Sequence, residues 1–180
     1  MSEITTIHVQ WSGPLTLDEA VSRNDTRTDY GVYQVYGRHP LYGAQALLYI
    51  GRAQQQTFGK RLSQEGWEPW QDAEGAVQVH VGRLSGDATP DAPAWDKQIE
   101  RVERLLIFAH RPAHNASGLY RHNDEDIESL HIFNWGERGA LLPEVSGLRL
   151  NLRFAVIPGY AVYGAHPPET KELPSVDTNA

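Results

Sequence analysis

The sequence predicts an α+β fold, and three observations carry that prediction. Two β-rich runs, Gly31–Tyr36 and Ala46–Gly51, flank a loop containing glycine and proline. The run Val77-Gln-Val-His-Val81 alternates apolar with polar residues, and an amphipathic helix spans about 92–111. The first two runs are expected to pair antiparallel, because β-branched and aromatic residues fit a pleated surface and the short loop turns the chain back. In the third, valines face a core, so His80 faces solvent or a partner layer. On the long helix, Trp95, Ile99, Val102, Leu106 and Ala109 recur at three- and four-residue spacing and form one apolar stripe. Pro112 ends it, since proline lacks an N–H and crowds the preceding turn.

The remaining elements flank this set. Ile4–Trp11 is expected as a strand ended by Ser12-Gly13-Pro14, and Leu15–Ser22 as a short helix. Another helix is expected from about Thr57 to Gln64. Beyond Pro112, Leu130–Asn134 and Gly147–Val156 read as strands joined by a loop that contains Trp135-Gly-Glu-Arg-Gly139 and Pro143. The expected organisation is an N-terminal extension over 1–29, a main module over 30–116, a β-rich extension over 117–165 and a tail over 166–180. The tail is proline-containing and almost without large apolar side chains, which predicts disorder.

Composition limits the function classes. With 180 residues and 40% hydrophobic content, the chain can build one domain with a core. It has no cysteine, which excludes disulfides, thiolate metal sites and a cysteine nucleophile. Met1–Gln10 lacks a basic, apolar leader, and no run approaches the roughly 20 apolar residues that span a bilayer, so a cytoplasmic protein without membrane contact is expected. The net charge of −7 opposes phosphate binding, so any basic footprint must be local. Arg38, Arg52, Lys60, Arg61, Arg101, Arg104 and Arg111 supply candidates inside the main module; the alternative is that several are ordinary helix-surface charges.

Glu103 stands out on the long helix. Its neighbours at three- and four-residue spacing are Ile99, Glu100, Leu106 and Ile107, so its carboxylate lies at the border of the apolar stripe. A partly buried carboxylate needs a partner, either an arginine or a metal ion.

The helix is also the last part of a longer pattern: Gly31-Val-Tyr33, Tyr49-Ile-Gly51-Arg52, Arg61, then Glu103 with Pro112 and Asn115. This order resembles the GIY-YIG nuclease superfamily, which includes the incision subunit of bacterial excision repair and some homing and restriction endonucleases. The resemblance covers about residues 30–115. It implies a small three-stranded antiparallel sheet flanked by helices, here followed by the β-rich C-terminal extension. It also implies metal-dependent hydrolysis of nucleic-acid phosphodiesters, DNA foremost, and sets no oligomeric state. By position, Tyr33 and Tyr49 correspond to the motif tyrosines, Arg61 to the catalytic arginine, Glu103 to the carboxylate that holds Mg²⁺ or Mn²⁺, and Asn115 to the asparagine after the proline.

These residue types suit the chemistry. A phosphodiester is anionic, so attack needs cations on the phosphoryl oxygens, a deprotonated nucleophile and help for the leaving oxygen. One Mg²⁺ on Glu103 and the Arg61 guanidinium would supply charge, with Arg52 and Lys60 as further phosphate-binding groups. Tyrosine ordinarily titrates near pH ~10, so Tyr49 can act as a base only if a cation such as Arg52 lowers it.

One position departs from the family. Four residues after Arg61, where the family commonly places histidine or tyrosine, stands Glu65. A second carboxylate repels phosphate unless it binds metal or itself becomes the base. The alternative function is therefore a module that binds nucleic acid or protein without cutting. Other groups read as ordinary: His110 and His114 as surface histidines separated by Pro112, and Asp124-Glu-Asp126 with Glu128 as a solvated loop or helix start. Trp67 and Trp70 either stack bases or pack in a loop.

Overall fold

The computed structural model describes residues 4–65, 77–86, 89–119 and 125–150. The elements run β1 (Thr5–Thr16), α1 (Leu17–Val21), β2 (Gly31–His39), β3 (Gly43–Ala53), α2 (Phe58–Leu62), β4 (Gln78–Ser85), α3 (Ala92–His110), α4 (Glu125–Glu128), β5 (Leu130–Gly136), β6 (Glu144–Ser146) and α5 (Gly147–Leu150). The class is α+β, as expected. The sheet, however, has six strands in the order β3-β2-β4-β1-β5-β6, not three. The expected antiparallel strands β2, β3 and β4 are contiguous within it. They do not end the sheet because β4 would otherwise present an unpaired edge; β1 covers that edge antiparallel, and β5 adds to β1 in parallel.

Two sequence signals were overridden locally. Gly13-Pro14 does not end β1: the register shifts between Ser12 and Leu15 and pairing with β4 resumes at Leu15 and Thr16, so the proline sits in a bulge where no ladder N–H is required. Thr16 then caps α1 in a reciprocal box with Glu19. Residues 147–150 are helical rather than extended, with Gly147 packed so closely on Ile127 of α4 that a side chain there would collide with the Ile127 carbonyl. Residues 151–156 of that expected strand, the tail over 166–180, Trp67, Trp70 and Asp124 lie outside the described residues.

Side-chain alternation splits the strands between two cores. On one face, Ile7, Val9 and Trp11 of β1, Val32 of β2, Ile50 of β3 and Ile132 of β5 pack with Ile99, Val102, Leu105 and Leu106 of α3. On the other, Tyr33 and Val35 of β2 and Val79 and Val81 of β4 pack with Ala20 of α1 and Phe58 and Leu62 of α2. Asp91 caps α3 by accepting from the Ala94 N–H, and Arg111 ends it in the left-handed conformation at φ 47°, just before Pro112.

The loop after β5 lies over the α3 face. His80 meets this partner layer rather than solvent: its Nδ1 lies 2.7 Å from the Glu137 carbonyl oxygen, and its ring meets Tyr36 edge-on. His110, expected as a surface histidine, is half-buried and engaged. It bridges the end of α3 to the same loop, with Nδ1 2.9 Å from the Leu106 carbonyl oxygen and Nε2 accepting the Leu142 N–H at 2.9 Å. His114 is exposed, as expected. Among the described residues no helix is long and apolar enough to cross a membrane.

Candidate active site

The two motif tyrosines share one face of adjacent strands. Tyr33 lies opposite Gly51 and Tyr49 opposite Val35, so the tyrosines are diagonal neighbours across the β2–β3 pair. Their ring centroids are 6.1 Å apart. Gly51 makes this possible: a Cβ there would sit 2.5 Å from the Tyr33 ring carbon Cζ and 2.7 Å from Tyr49 Cε1. The glycine of the second motif thus makes room for rings from both strands. Tyr33 is fully buried, whereas Tyr49 is half-buried on the edge strand.

Helix α2 brings charge to these rings. Thr57 caps it by accepting the Lys60 N–H, which fixes the first turn and puts Arg61 and Glu65 one turn apart. They form an ion pair, and Glu65 Oε1 also lies 3.5 Å from the Tyr33 hydroxyl. The Lys60 side chain projects from the same helix and is exposed. Burial raises Tyr33 well above the usual phenol range, with Tyr49 and Glu65 adding to the rise and Arg61 opposing it. Tyr49 is also raised, first by burial and then by the Glu65 and Glu103 carboxylates, against Arg61. The expected lowering of Tyr49 by a cation is therefore outweighed, and both phenols stay protonated at neutral pH. Burial works against the Arg61 charge, but Tyr33, Glu65 and Tyr49 together hold it above the usual guanidinium value.

Glu103 projects from α3 and is held by Arg52 of β3, which donates to its Oε2. Glu100, one turn earlier, lies 3.9 Å from the same guanidinium nitrogen. Of the two partners its sequence context allowed, Glu103 is paired with arginine, and Arg52, expected to bind phosphate, is part of that ion pair. Burial raises the Glu103 carboxyl above its usual value; Arg52 opposes this, Glu100 adds to it, and Arg61 opposes it again. Glu103 is thus close enough to Tyr49 and Arg61 for its charge to act on both. Glu100 is the member that sequence reasoning left out, although its spacing from Glu103 on one helix face was the available signal.

Asn115 does not join this group. Its side chain is buried, accepting the Ile50 N–H at 3.0 Å and donating to the Ile50 carbonyl at 2.9 Å. With the Ala113 N–H donating to the Leu47 carbonyl and the His114 N–H to the Leu48 carbonyl, the segment after α3 closes the outer edge of β3.

The arrangement gathers Tyr33, Tyr49, Arg61, Glu65 and Glu103, with Arg52 and Glu100 beside them. It offers protonated phenols as hydrogen-bond donors, two guanidinium groups, and carboxylates for a hard cation. No group of three or more histidine, cysteine or acidic residues suited to a metal occurs among the described residues. The donor set fits Mg²⁺ in its usual mode, one or two carboxylates with the remaining ligands from water and substrate phosphate, provided Arg52 yields Glu103. Comparison of the chain with known protein families, with curated proteins and with solved structures gives no match.

Proposed function

We propose that this site hydrolyses phosphodiester bonds of nucleic acid, DNA foremost, with a divalent cation as cofactor, in the manner of the GIY-YIG nucleases that residues 30–115 resemble. The observation that carries this reading is the meeting of Tyr33 and Tyr49 from two strands with the Arg61–Glu65 pair that follows from α2, and with Glu103 of α3 near enough for its charge to act on Tyr49 and Arg61. Arg61 binds a non-bridging phosphate oxygen, and the protonated Tyr33 and Tyr49 hydroxyls orient the attacking water or the phosphate by donating to oxygen. Glu103, once released by Arg52, would hold the cation, which would add positive charge at the phosphoryl oxygens. The phosphate displaces Glu65 from Arg61 as it enters.

A second reading rests on a specific observation: Arg52 and Arg61, the two arginines of the site, are already engaged by carboxylates, Arg52 by Glu103 and Arg61 by Glu65. A site closed in this way would bind nucleic acid or protein without cutting. Incubation of purified protein with supercoiled plasmid and Mg²⁺ or Mn²⁺ separates the two readings. Hydrolysis predicts nicking that Glu103→Ala abolishes. No nicking by the wild type, or equal nicking by Glu103→Ala, defeats it.

A further inference from the structure

The chain is acidic overall, yet residues 30–64 contain no aspartate or glutamate, and neither do residues 104–119. The structure joins these two acid-free segments: the loop after α3 is hydrogen-bonded along β3 by Ala113, His114 and Asn115. At the far end of this surface is the tip of the β2–β3 hairpin. Its two large apolar residues are the most exposed of the large hydrophobic side chains among the described residues, Leu41 at 83% and Tyr42 at 70%. Two adjacent large apolar side chains exposed at one tip give a partner an apolar surface to cover.

The tip is also ordered in advance. His39 Nδ1 accepts the backbone N–H groups of Leu41 and Tyr42 at 3.2 and 3.3 Å. The His39 ring stacks on Tyr42 with centroids 4.5 Å apart and meets His114 at 5.6 Å. Arg38 immediately precedes His39 on β2, and Arg111 ends α3 three residues before His114; both are exposed. The result is an apolar and aromatic wedge set among groups that carry or can accept positive charge.

We infer that this hairpin tip is a second nucleic-acid contact, where Leu41 and Tyr42 wedge between base steps of a duplex while Arg38 and Arg111 meet its phosphates. Charge complementarity favours this occupant: an anionic duplex suits a tip whose two contributing segments carry no acidic residue, and apolar wedges beside cations unstack base steps in this way. The inference rests on the reading of the site as one that acts on nucleic acid, and it adds substrate class and placement. From Gly43, where β3 leaves the tip, Tyr49 lies six residues along the strand, roughly 20 Å at about 3.3 Å per residue. That spans about six base pairs at ~3.4 Å each. The duplex is therefore bent or unstacked about six base pairs from the phosphate held at Arg61.

The test uses the full chain in EDTA, so that binding is read without cutting. Anisotropy of a labelled 24-base-pair duplex should show about tenfold weaker affinity for L41S/Y42S, the size expected when one base-stacking aromatic is lost. A 2-aminopurine scanned along the duplex should brighten at one step with the wild type and stay quenched with L41S/Y42S. Both positions are exposed, and matched melting temperatures will establish that the variant folds. Unchanged affinity and unchanged 2-aminopurine signal overturn the inference, even if the protein nicks plasmid. Tip-dependent duplex binding without nicking by any variant supports it and defeats hydrolysis alone. If the substitutions instead abolish cosedimentation with phosphatidylserine vesicles, or dissociate a dimer, and leave duplex binding intact, the wedge belongs to a membrane or a second copy and the inference falls.

Discussion

Arg52 on β3 donates to Glu103 on α3, so the carboxylate that marks the candidate metal site is held by a cation from the neighbouring strand. The Glu103 side chain is 14% exposed, and burial raises its carboxyl above the usual value despite Arg52. Taken alone, a raised carboxyl favours the fold at low pH and loses that contribution as pH rises through its folded value. Arg52→Ala removes the opposing charge and raises the carboxyl further, so its deficit opens as pH rises through the carboxylate range. At pH 7 the loss should be about 1–2 kcal/mol, between the values for exposed and for fully buried pairs, because Arg52 is 35% exposed and Glu103 only 14%. Urea midpoints at pH 4 and 7 will check it. Adding Glu103→Gln should restore most of the pH 7 loss, and failure to do so would show that Arg52 acts through packing instead.

Asn115 holds both polar groups of Ile50 from outside the sheet, which gives it a structural task independent of catalysis. Asn115→Ala leaves a buried N–H and a buried carbonyl unpaired, a loss of about 2–3 kcal/mol. Asn115→Asp should cost a similar amount, since a carboxylate accepts from the Ile50 N–H but cannot donate to the carbonyl. Chemical denaturation gives the stabilities. Nicking by Asn115→Ala, measured where the variant remains fully folded, should stay within a few-fold of wild type; a hundredfold loss there would make Asn115 a participant in the reaction.

The contrast between Glu103 and Asn115 shows which features the sequence could disclose. The stripe on α3 and the strands around Tyr33 and Tyr49 were legible because helical and strand periods are local properties. The border position of Glu103 followed from the same period, but its partner did not, because Arg52 is 51 residues away in sequence. Long-range pairing likewise hid the size of the sheet. Nothing in Thr5–Trp11 states that it pairs in parallel with Leu130–Gly136, and Gly13-Pro14 signals a stop although the structure makes it a bulge. Gly147 looked compatible with a strand because the close approach of Ile127 that requires a glycine is a tertiary event.

Glu65 neutralises the arginine that would grip phosphate and lies beside the Tyr33 hydroxyl. Glu65→His removes the negative charge and frees Arg61. Under the hydrolytic reading, nicking at saturating Mg²⁺ should rise several-fold and the salt dependence of DNA binding should steepen by about one phosphate contact. A fall in rate with unchanged binding would instead make the Glu65 carboxylate the base that activates water. Glu65→Gln separates these outcomes further: it keeps the shape and loses the charge, so freeing Arg61 predicts a gain in binding, whereas loss of a base predicts a loss in rate alone.

His110 links α3 to the loop after β5 in one protonation state only. Donation from Nδ1 to the Leu106 carbonyl leaves Nε2 as the acceptor for the Leu142 N–H, so the ring must be neutral. Burial lowers its titration below the usual imidazole value, and the Leu106 carbonyl only partly opposes this. The unfolded chain therefore takes up this proton at a higher pH than the native protein does. The His110 contribution is fully present above about pH 6.5 and is lost as pH falls from there toward the lower folded value. Melting temperature should drop between pH 7.5 and 5.5 through this group. His110→Gln should be less stable at pH 7.5, yet its melting temperature should fall less over the same interval, so the two curves approach at acid pH. Parallel curves would mean that the pH dependence comes from other groups and that the His110 bridge does not depend on its charge.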